Sequence, residues 1–387
     1  MICRVCSSAN TKLFLERKSV SVHQNLVLDS LQEAKRINRG HMALYHCLDC
    51  HFVFNAKFDG DLLSYDAHYD NNQTYSSFFA EYVQSIVKYL IDDLGVKNKD
   101  VIELGCGKGY FLKDICAVGR NRGIGFDPSY VGPTEILDGT VRYEKKFYER
   151  GGHPNTSVDM VICRHVIEHI SHPTEFLKTV KAALGQHSHA RLFFETPSLE
   201  WILKNGVIWD FFYEHCSYFT RDSLVKAFEL AGFHVAQVTE QFQGQYLWLV
   251  ASVQNDSAQE IRSASNIEPM IGAYVKEEHD RLSKWTQLIQ ARRSDGKVAV
   301  WGAAAKGTTF VNLIDSKCSL IDSVIDINPN KQSKFIAGTG HPIVSYKDLV
   351  SRGVETVILM NPNYRKENED LLRTSGIKMN IISEEVI

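Results

Sequence analysis

Val101-Ile-Glu103-Leu-Gly105-Cys-Gly107-Lys-Gly109-Tyr-Phe-Leu is the stretch on which the fold turns. The apolar run VIEL reads as a buried strand, and three alternating glycines interrupt it before a helical pattern resumes. Lacking a Cβ, glycine lets the backbone turn tightly and approach a ligand closely. Glu103 ends the strand and sets a carboxylate where a positively polarised amino acid would be met. Asp127 ends the next strand-like run 24 residues later, and an acid there accepts both hydrogens of a ribose diol. Glu103, Gly105, Gly107, Gly109, Asp127 and the adjacent Pro128 thus describe an adenosine-bearing ligand lying across two strand ends.

Working outward, the runs GIGF, VDMVIC and RLFFET alternate with helical patterns, so residues 98–253 read as a parallel, doubly wound α/β sheet. Residues 297–387 carry a second alternating unit with the runs KVAVW, SLIDSVID and TVILM. Between them, residues 254–296 form a polar stretch and a charged linker helix. Upstream, residues 61–97 open with Tyr65, Tyr69 and Tyr75. They continue as an amphipathic helix carrying Phe78, Phe79, Tyr82, Val83, Ile86, Val87 and Leu90, a connector expected to contribute to the acceptor site. Residues 1–60 hold four cysteines in two pairs.

The chain has 387 residues, a formal net charge of −3, and 44% apolar residues of which the aromatics make up 11% of the chain. That length calls for two or three domains with sizeable cores. No Lys/Arg stripe suited to phosphate tracking is present, which argues against a nucleic-acid partner. No run approaches the ~18 apolar residues of a membrane span, and the first residues lack a secretory pattern, so a cytoplasmic protein is expected. It is expected as a monomer or homodimer. Nine cysteines in such a chain point to metal or free thiols rather than disulfides. Cys3-x-x-Cys6 and Cys47-x-x-Cys50 each form a tight turn presenting two thiolates, the pattern of a structural, four-coordinate Zn²⁺. A hairpin or loop must lie between them, and His46 and His51 flank the second pair as substitute ligands.

A nicotinamide fingerprint would read G-x-G-x-x-G, whereas here the spacing is G-x-G-x-G with Glu103 two residues before the first glycine. That pattern resembles motif I of class I S-adenosylmethionine methyltransferases. The resemblance continues through Asp127-Pro128 and the segment from Val158 to Ile170, where Cys163 and His165 fall at the donor site. His165-x-x-Glu168-His169 also matches the H-x-x-E-H pattern of some zinc proteases, but it follows a buried strand instead of lying within a helix. Its histidines are expected to line the pocket or pack beneath it.

Past the fifth strand, Glu214-His215 lies among aromatics, a place suited to acid–base work because histidine titrates near neutral pH. A narrower resemblance appears here, to C-methyltransferases of nucleotide-linked deoxysugars. Their Y-H-E-H-x-S-Y-F string is matched by Phe212-Tyr213-Glu214-His215-Cys216-Ser217-Tyr218-Phe219, and their G-A-x-A-K-G-N-T string by Gly302 to Thr309. Asp326 to Gln332, Ala337 to Ile343 and Tyr75-Ser76-Ser77 match further strings. The resemblance implies His215 as a base that removes a proton beside a ketone, Glu214 as the group that orients that base or the substrate, and Tyr75 near the sugar. It also implies Tyr75, Ser77, Tyr213, Lys306, Thr308, Asn328 and Lys331 as substrate-binding residues, the last four in a Rossmann-like domain that holds a nucleotide-linked sugar. Departures are Phe212 for a tyrosine, Cys106-Gly107-Lys108 inside motif I, and Thr308 for an asparagine. They keep open O- or N-methylation of a related sugar. Rivals of other classes are a zinc-containing binding protein without catalysis and a nicotinamide oxidoreductase.

Overall fold

The computed structural model describes residues 1–63, 73–149, 158–185, 189–254 and 266–383; Tyr65 and Tyr69 lie outside them. The apolar runs become the centre of an eight-stranded sheet. Its order is His234–Gln241, Tyr246–Ser252, Arg191–Pro197, Met160–Arg164, Asp100–Leu104, Arg122–Phe126, Val141–Glu144, Glu135–Ile136. The five strands from Arg191–Pro197 to Val141–Glu144 are parallel, each near-continuously apolar because helices cover both faces. The sheet is not parallel throughout, as the sequence reading had it: Tyr246–Ser252 and His234–Gln241 form an antiparallel hairpin against Arg191–Pro197. Only a short turn links these last strands, which excludes a parallel crossover. The strand order reverses between Asp100–Leu104 and Met160–Arg164, so a crevice opens at their carboxyl ends.

The second α/β unit is an all-parallel five-stranded sheet, ordered Ile343–Val344, Ser323–Ile325, Lys297–Trp301, Val354–Leu359, Asn380–Ile382. It too reverses, beside Lys297–Trp301. The helix Glu268–Arg292 is more than a linker: it buries Ile271, Tyr274, Trp285 and Ile289. Trp285 packs edge-on against Trp209 and Phe310, at ring-centroid distances of 5.9 and 5.2 Å, tying both α/β units into one core. Such edge-to-face pairs are the favoured aromatic geometry.

The N-terminal residues form the antiparallel strands Thr11–Ser21, Arg39–Cys47 and Val53–Asn55. The fourth strand of this sheet is Ser217–Tyr218, two residues past His215. Between the first two strands, Val27–Leu28 pairs with Phe335–Ile336 of the C-terminal unit. The acceptor loop is therefore also an edge strand of the cysteine-bearing sheet. Among the described residues, no helix is long and apolar enough to cross a membrane.

Candidate active site

At the carboxyl end of Asp100–Leu104 the chain turns on Gly105, Gly107 and Gly109, all in the left-handed region at φ +70°, +54° and +79°. A Cβ on Gly105 would lie 2.2 Å from Val166 Cγ2, whereas one on Gly107 would enter open space, leaving a cradle of bare backbone. Asp127 faces that cradle: its Oδ2 accepts from Gly107 N at 2.8 Å, and its Oδ1 accepts from Ser129 N and Oγ. Glu103 is buried, and its Oε2 makes no hydrogen bond. Burial pushes its carboxyl up to about 8, with Arg164 pulling the other way. An orphaned carboxyl beside an open glycine turn fits the ammonium of an amino-acid-bearing adenosine donor, because a cation there would supply the missing partner. Pro128 is half-buried next to Asp127. Cys163 is different: it is fully buried in the core between the Leu104 and Phe194 strands, so it touches no ligand. A parallel strand covered on both faces buries it whichever way it points.

His165 stands at the mouth of this crevice with φ +55°, strained for a residue with a Cβ. Its Nδ1 lies 3.5 Å from Glu168 Oε1 and its Nε2 3.4 Å from Glu195 Oε2. Burial would lower its pKa, but those carboxylates outweigh it and hold the ring at about 9, hence protonated. Glu195 is likewise held at about 2: burial raises it, and Arg164 and His165 more than compensate. Arg164 Nε donates to Glu195 at 2.7 Å, and the hydroxyl of Tyr82 donates to the same carboxylate.

From His165 a cavity of about 290 Å³ runs between the two α/β units. One end is walled by His165, Glu168, His169, Phe212, His215 and Tyr246, the other by Trp301, Gly302, Lys306, Asp326, Asn328 and Lys331. His169 Nδ1 lies 2.9 Å from the Glu214 carbonyl, so that nitrogen is the donor. The His215 ring stands 4.8 Å from that of His169 and 4.0 Å from that of Phe212. Burial, then the charges of His169, His165 and Lys306, push His215 well below the usual histidine range, so it stays neutral. Among the described residues no hydrogen bond reaches its ring.

The hydrogen bonds of the Glu214 carboxylate run to the N-terminal loop. Its Oε1 accepts from Gln24 N at 2.7 Å and Asn25 N at 3.4 Å, and its Oε2 from Asn25 Nδ2 at 3.4 Å. It thereby fixes the N-terminal loop whose Asn25 lines the cavity. Tyr213 is likewise absent from the cavity wall, because its ring covers Gly40 and its hydroxyl accepts from Asp59 N at 2.9 Å. Tyr75 lines the cavity and accepts from Asn330 Nδ2 at 3.2 Å. Ser77 does not; its Oγ and N both donate to Glu367 at the start of the helix Ser77–Lys88, and the neighbouring Ser76 lines the cavity instead.

In the C-terminal unit, Lys306 reaches the cavity but pairs with Asp210, so a phosphate would have to compete with that carboxylate. Thr308 is buried inside the helix Ala305–Ile314, away from the cavity. Lys331 is buried, donating to Ala303 O at 3.1 Å, and Asn328 is buried beside it. The residue missed by sequence reasoning is Asp326. It follows the strand Ser323–Ile325, next after the second glycine turn, and accepts from Ala303 N at 3.0 Å just as Asp127 accepts from Gly107. An acid closing the strand after a glycine turn was the available signal.

At the N-terminus, Cys3 and Cys50 sulfurs lie 3.6 Å apart, as do those of Cys6 and Cys47, and all four fall within 4.8 Å. A tetrahedral Zn²⁺ with Zn–S of ~2.3 Å separates its sulfurs by about 3.8 Å, so the set fits. Left-handed Ser7 and His51 close the two cysteine turns. His46 and His51 stack on each other instead of joining the cluster.

Residues 75–238 match the family model of a methyltransferase domain, and residues 251–376 that of a C-methyltransferase C-terminal domain. The chain is 26% identical to the C-methyltransferase NovU of Streptomyces niveus, over 78% of this chain and 75% of that one. A tRNA U34 carboxymethyltransferase of Campylobacter fetus subsp. fetus is 26% identical over 27% of this chain and 39% of its own length. Among solved structures, magnesium protoporphyrin IX methyltransferase of Synechocystis PCC 6803 is similar at 20% identity and a TM-score of 0.35, over 45% of this chain and 83% of that one. The fold and donor crevice, with the two family-model matches, define an S-adenosylmethionine-dependent methyltransferase of class I fold. Within that class the chain is similar to C-methyltransferases, through its C-terminal domain and through its relative NovU.

Proposed function

We propose that the enzyme methylates a carbon beside the ketone of a nucleotide-linked deoxysugar. The observation that carries this reading is the single cavity joining the His169–His215 end to a second glycine turn. That turn has its own strand-end acid, Asp326. An acid in that position suits a ribose diol, and the turn before a helix suits phosphate. The nucleotide would then lie on Gly302, Asp326, Asn328 and Lys331, with the sugar pointing toward His165 and Tyr75. The donor's sulfonium supplies an electrophilic methyl group. A ketone acidifies the neighbouring C–H, whose proton leaves at the histidine end of the cavity. His165, held as a cation by its two carboxylates, lies where negative charge would develop on the ketone oxygen. The relative bearing the name C-methyltransferase favours carbon as the accepting atom. Four thiols at tetrahedral spacing support a structural Zn²⁺ that braces the sheet on which the acceptor loop is an edge strand.

The test is mass spectrometry of products from labelled S-adenosylmethionine and a panel of keto and non-keto nucleotide sugars. Label on carbon in keto-sugars alone supports the reading. Label on oxygen or nitrogen would replace it with the alternative that Phe212, offering no hydroxyl beside His215, leaves open.

A further inference from the structure

We propose that Glu367, in the C-terminal α/β unit, is a positioning residue for the methyl-donor site of the other unit. It caps the helix Ser77–Lys88 across the boundary between the units, and through Tyr82 of that helix it sets the charged groups beside Glu103. The proposal rests on the donor site and not on the sugar reading above.

A helix leaves its first four amides without intrahelical partners. At the start of Ser77–Lys88, Ser76 Oγ accepts from Phe79 N at 3.1 Å. Two further amides are met from the far end of the chain: Glu367 Oε1 accepts from Ser77 N at 2.6 Å and from Phe78 N at 3.4 Å. The same oxygen accepts from Ser77 Oγ at 2.8 Å, and Oε2 accepts from Ser76 Oγ at 2.6 Å. Among the described residues, no hydrogen bond joins this carboxylate to its own unit. An acid in this place also meets the positive end of the helix dipole. A helix of 12 residues is marginal by itself, so an outside cap decides how firmly its first turns hold.

Tyr82, in the second turn, carries that hold to the donor half. Burial, then Glu195, push its hydroxyl well above the phenolic range, so it keeps its proton and donates to Glu195. The Glu195 carboxylate also takes Arg164 Nε at 2.7 Å and stands 3.4 Å from His165 Nε2. Arg164 lies two residues beyond Ile162, the register partner of Glu103, so both side chains leave the same face of the sheet. Its charge pulls the Glu103 carboxyl down against burial, toward the ionised form that a donor ammonium needs. A slack helix would leave Glu195 one donor short and free Arg164 to drift from Glu103. Other contacts bring the same C-terminal segment to this seam. The ring of Tyr364 stands 5.6 Å from that of Phe78, and Asn361 and Gln245 exchange amide bonds of 3.0 and 3.1 Å. Glu367 also lines the cavity, so the residue on which the donor site rests is within reach of the acceptor.

The test uses S-adenosylhomocysteine alone, so failure of the sugar reading leaves it untouched. Its affinity is measured by calorimetry on the full-length protein carrying Glu367→Ala, Tyr82→Phe or both. Glu367→Ala should weaken binding by about fivefold or more, the lower end of coupling between separate sites. In the Tyr82→Phe background the same change should cost less than about twofold, because both act through one path. Hydrogen exchange read by mass spectrometry should quicken in Ser77–Lys88 and hold in the strand Lys297–Trp301, a contrast that general destabilisation does not give. Should Glu367→Ala fail to fold, the isosteric Glu367→Gln carries the same cycle. Affinity untouched by the loss of Glu367, or effects of the two substitutions that simply multiply, overturns the proposal. So does exchange that quickens equally in both elements.

Discussion

Glu214→Gln separates a catalytic carboxylate from a structural one. Glu214 is fully buried and accepts a 2.7 Å bond from Gln24 N, plus two longer ones from Asn25. Hydrogen bonds to a charged acceptor contribute about 1.5–3 kcal/mol, and neutral ones about 1 kcal/mol. Glutamine keeps one oxygen toward Gln24 N but loses the charge, and its amide meets Asn25 Nδ2 donor to donor until one amide flips. The two 3.4 Å contacts add little. A loss of about 1.5–3 kcal/mol of stability follows, read as a lower urea midpoint at constant slope. Turnover should fall less than about tenfold, with KM for the acceptor rising, because Asn25 lines the cavity and the loop loosens. Donor affinity should not move. Were Glu214 instead the orienter of a base, the midpoint would hold while kcat fell by ~10²–10⁴. That result would refute the assignment of this carboxylate to the loop.

Gly105→Ala combines a left-handed backbone with a 2.2 Å clash against Val166 and should cost about 2–4 kcal/mol, measured by denaturation. Gly107→Ala meets no atom, so it should cost only the backbone's ~1–2 kcal/mol yet weaken donor binding in calorimetry, since its methyl fills the cradle. Asp315 is held at about 2: burial raises it, but the His341 bond and the amides of Ser319, Leu320 and Ile321 prevail. Its folded pKa lies below the unfolded ~3.9. Its stabilisation is therefore complete above about pH 4 and is lost as pH falls toward 2, a dependence that Asp315→Asn should abolish in acid titrations. Replacing Cys3 and Cys6 with serine should release one zinc per chain by atomic emission and lower the denaturation midpoint; unchanged values of both would refute the zinc site.

What could be read from the chain was what is encoded locally. A buried strand, a glycine turn and an acid 24 residues on are set by nearest-neighbour sterics and period, and the two C-x-x-C turns by tetrahedral spacing. The misplacements share another cause. Ser76 and Ser77 are adjacent, and both donate to Glu367, nearly 300 residues away, a pairing that no local pattern announces. Lys306 met Asp210 and Glu214 met Gln24 across similar distances in sequence. Cys163 belonged to a strand buried on both faces, where polarity gives no hint of direction. The helix Glu268–Arg292 read as a linker because its buried stripe is four residues in twenty-five.

The Val27–Leu28 strand finds its partner at Phe335–Ile336, and Arg17 finds Glu278, so these N-terminal elements wait for partners hundreds of residues further along the chain. The donor-binding sheet, complete by Ser252, has its own core and can close while the N-terminal hairpin still shows open edges. Long-range pairing of this kind is slow and leaves unpaired strands exposed in the interval. Folding is therefore expected to run from the middle outward, and the acceptor cavity, lined by residues from Asn25 to Asn368, to be the last feature to form.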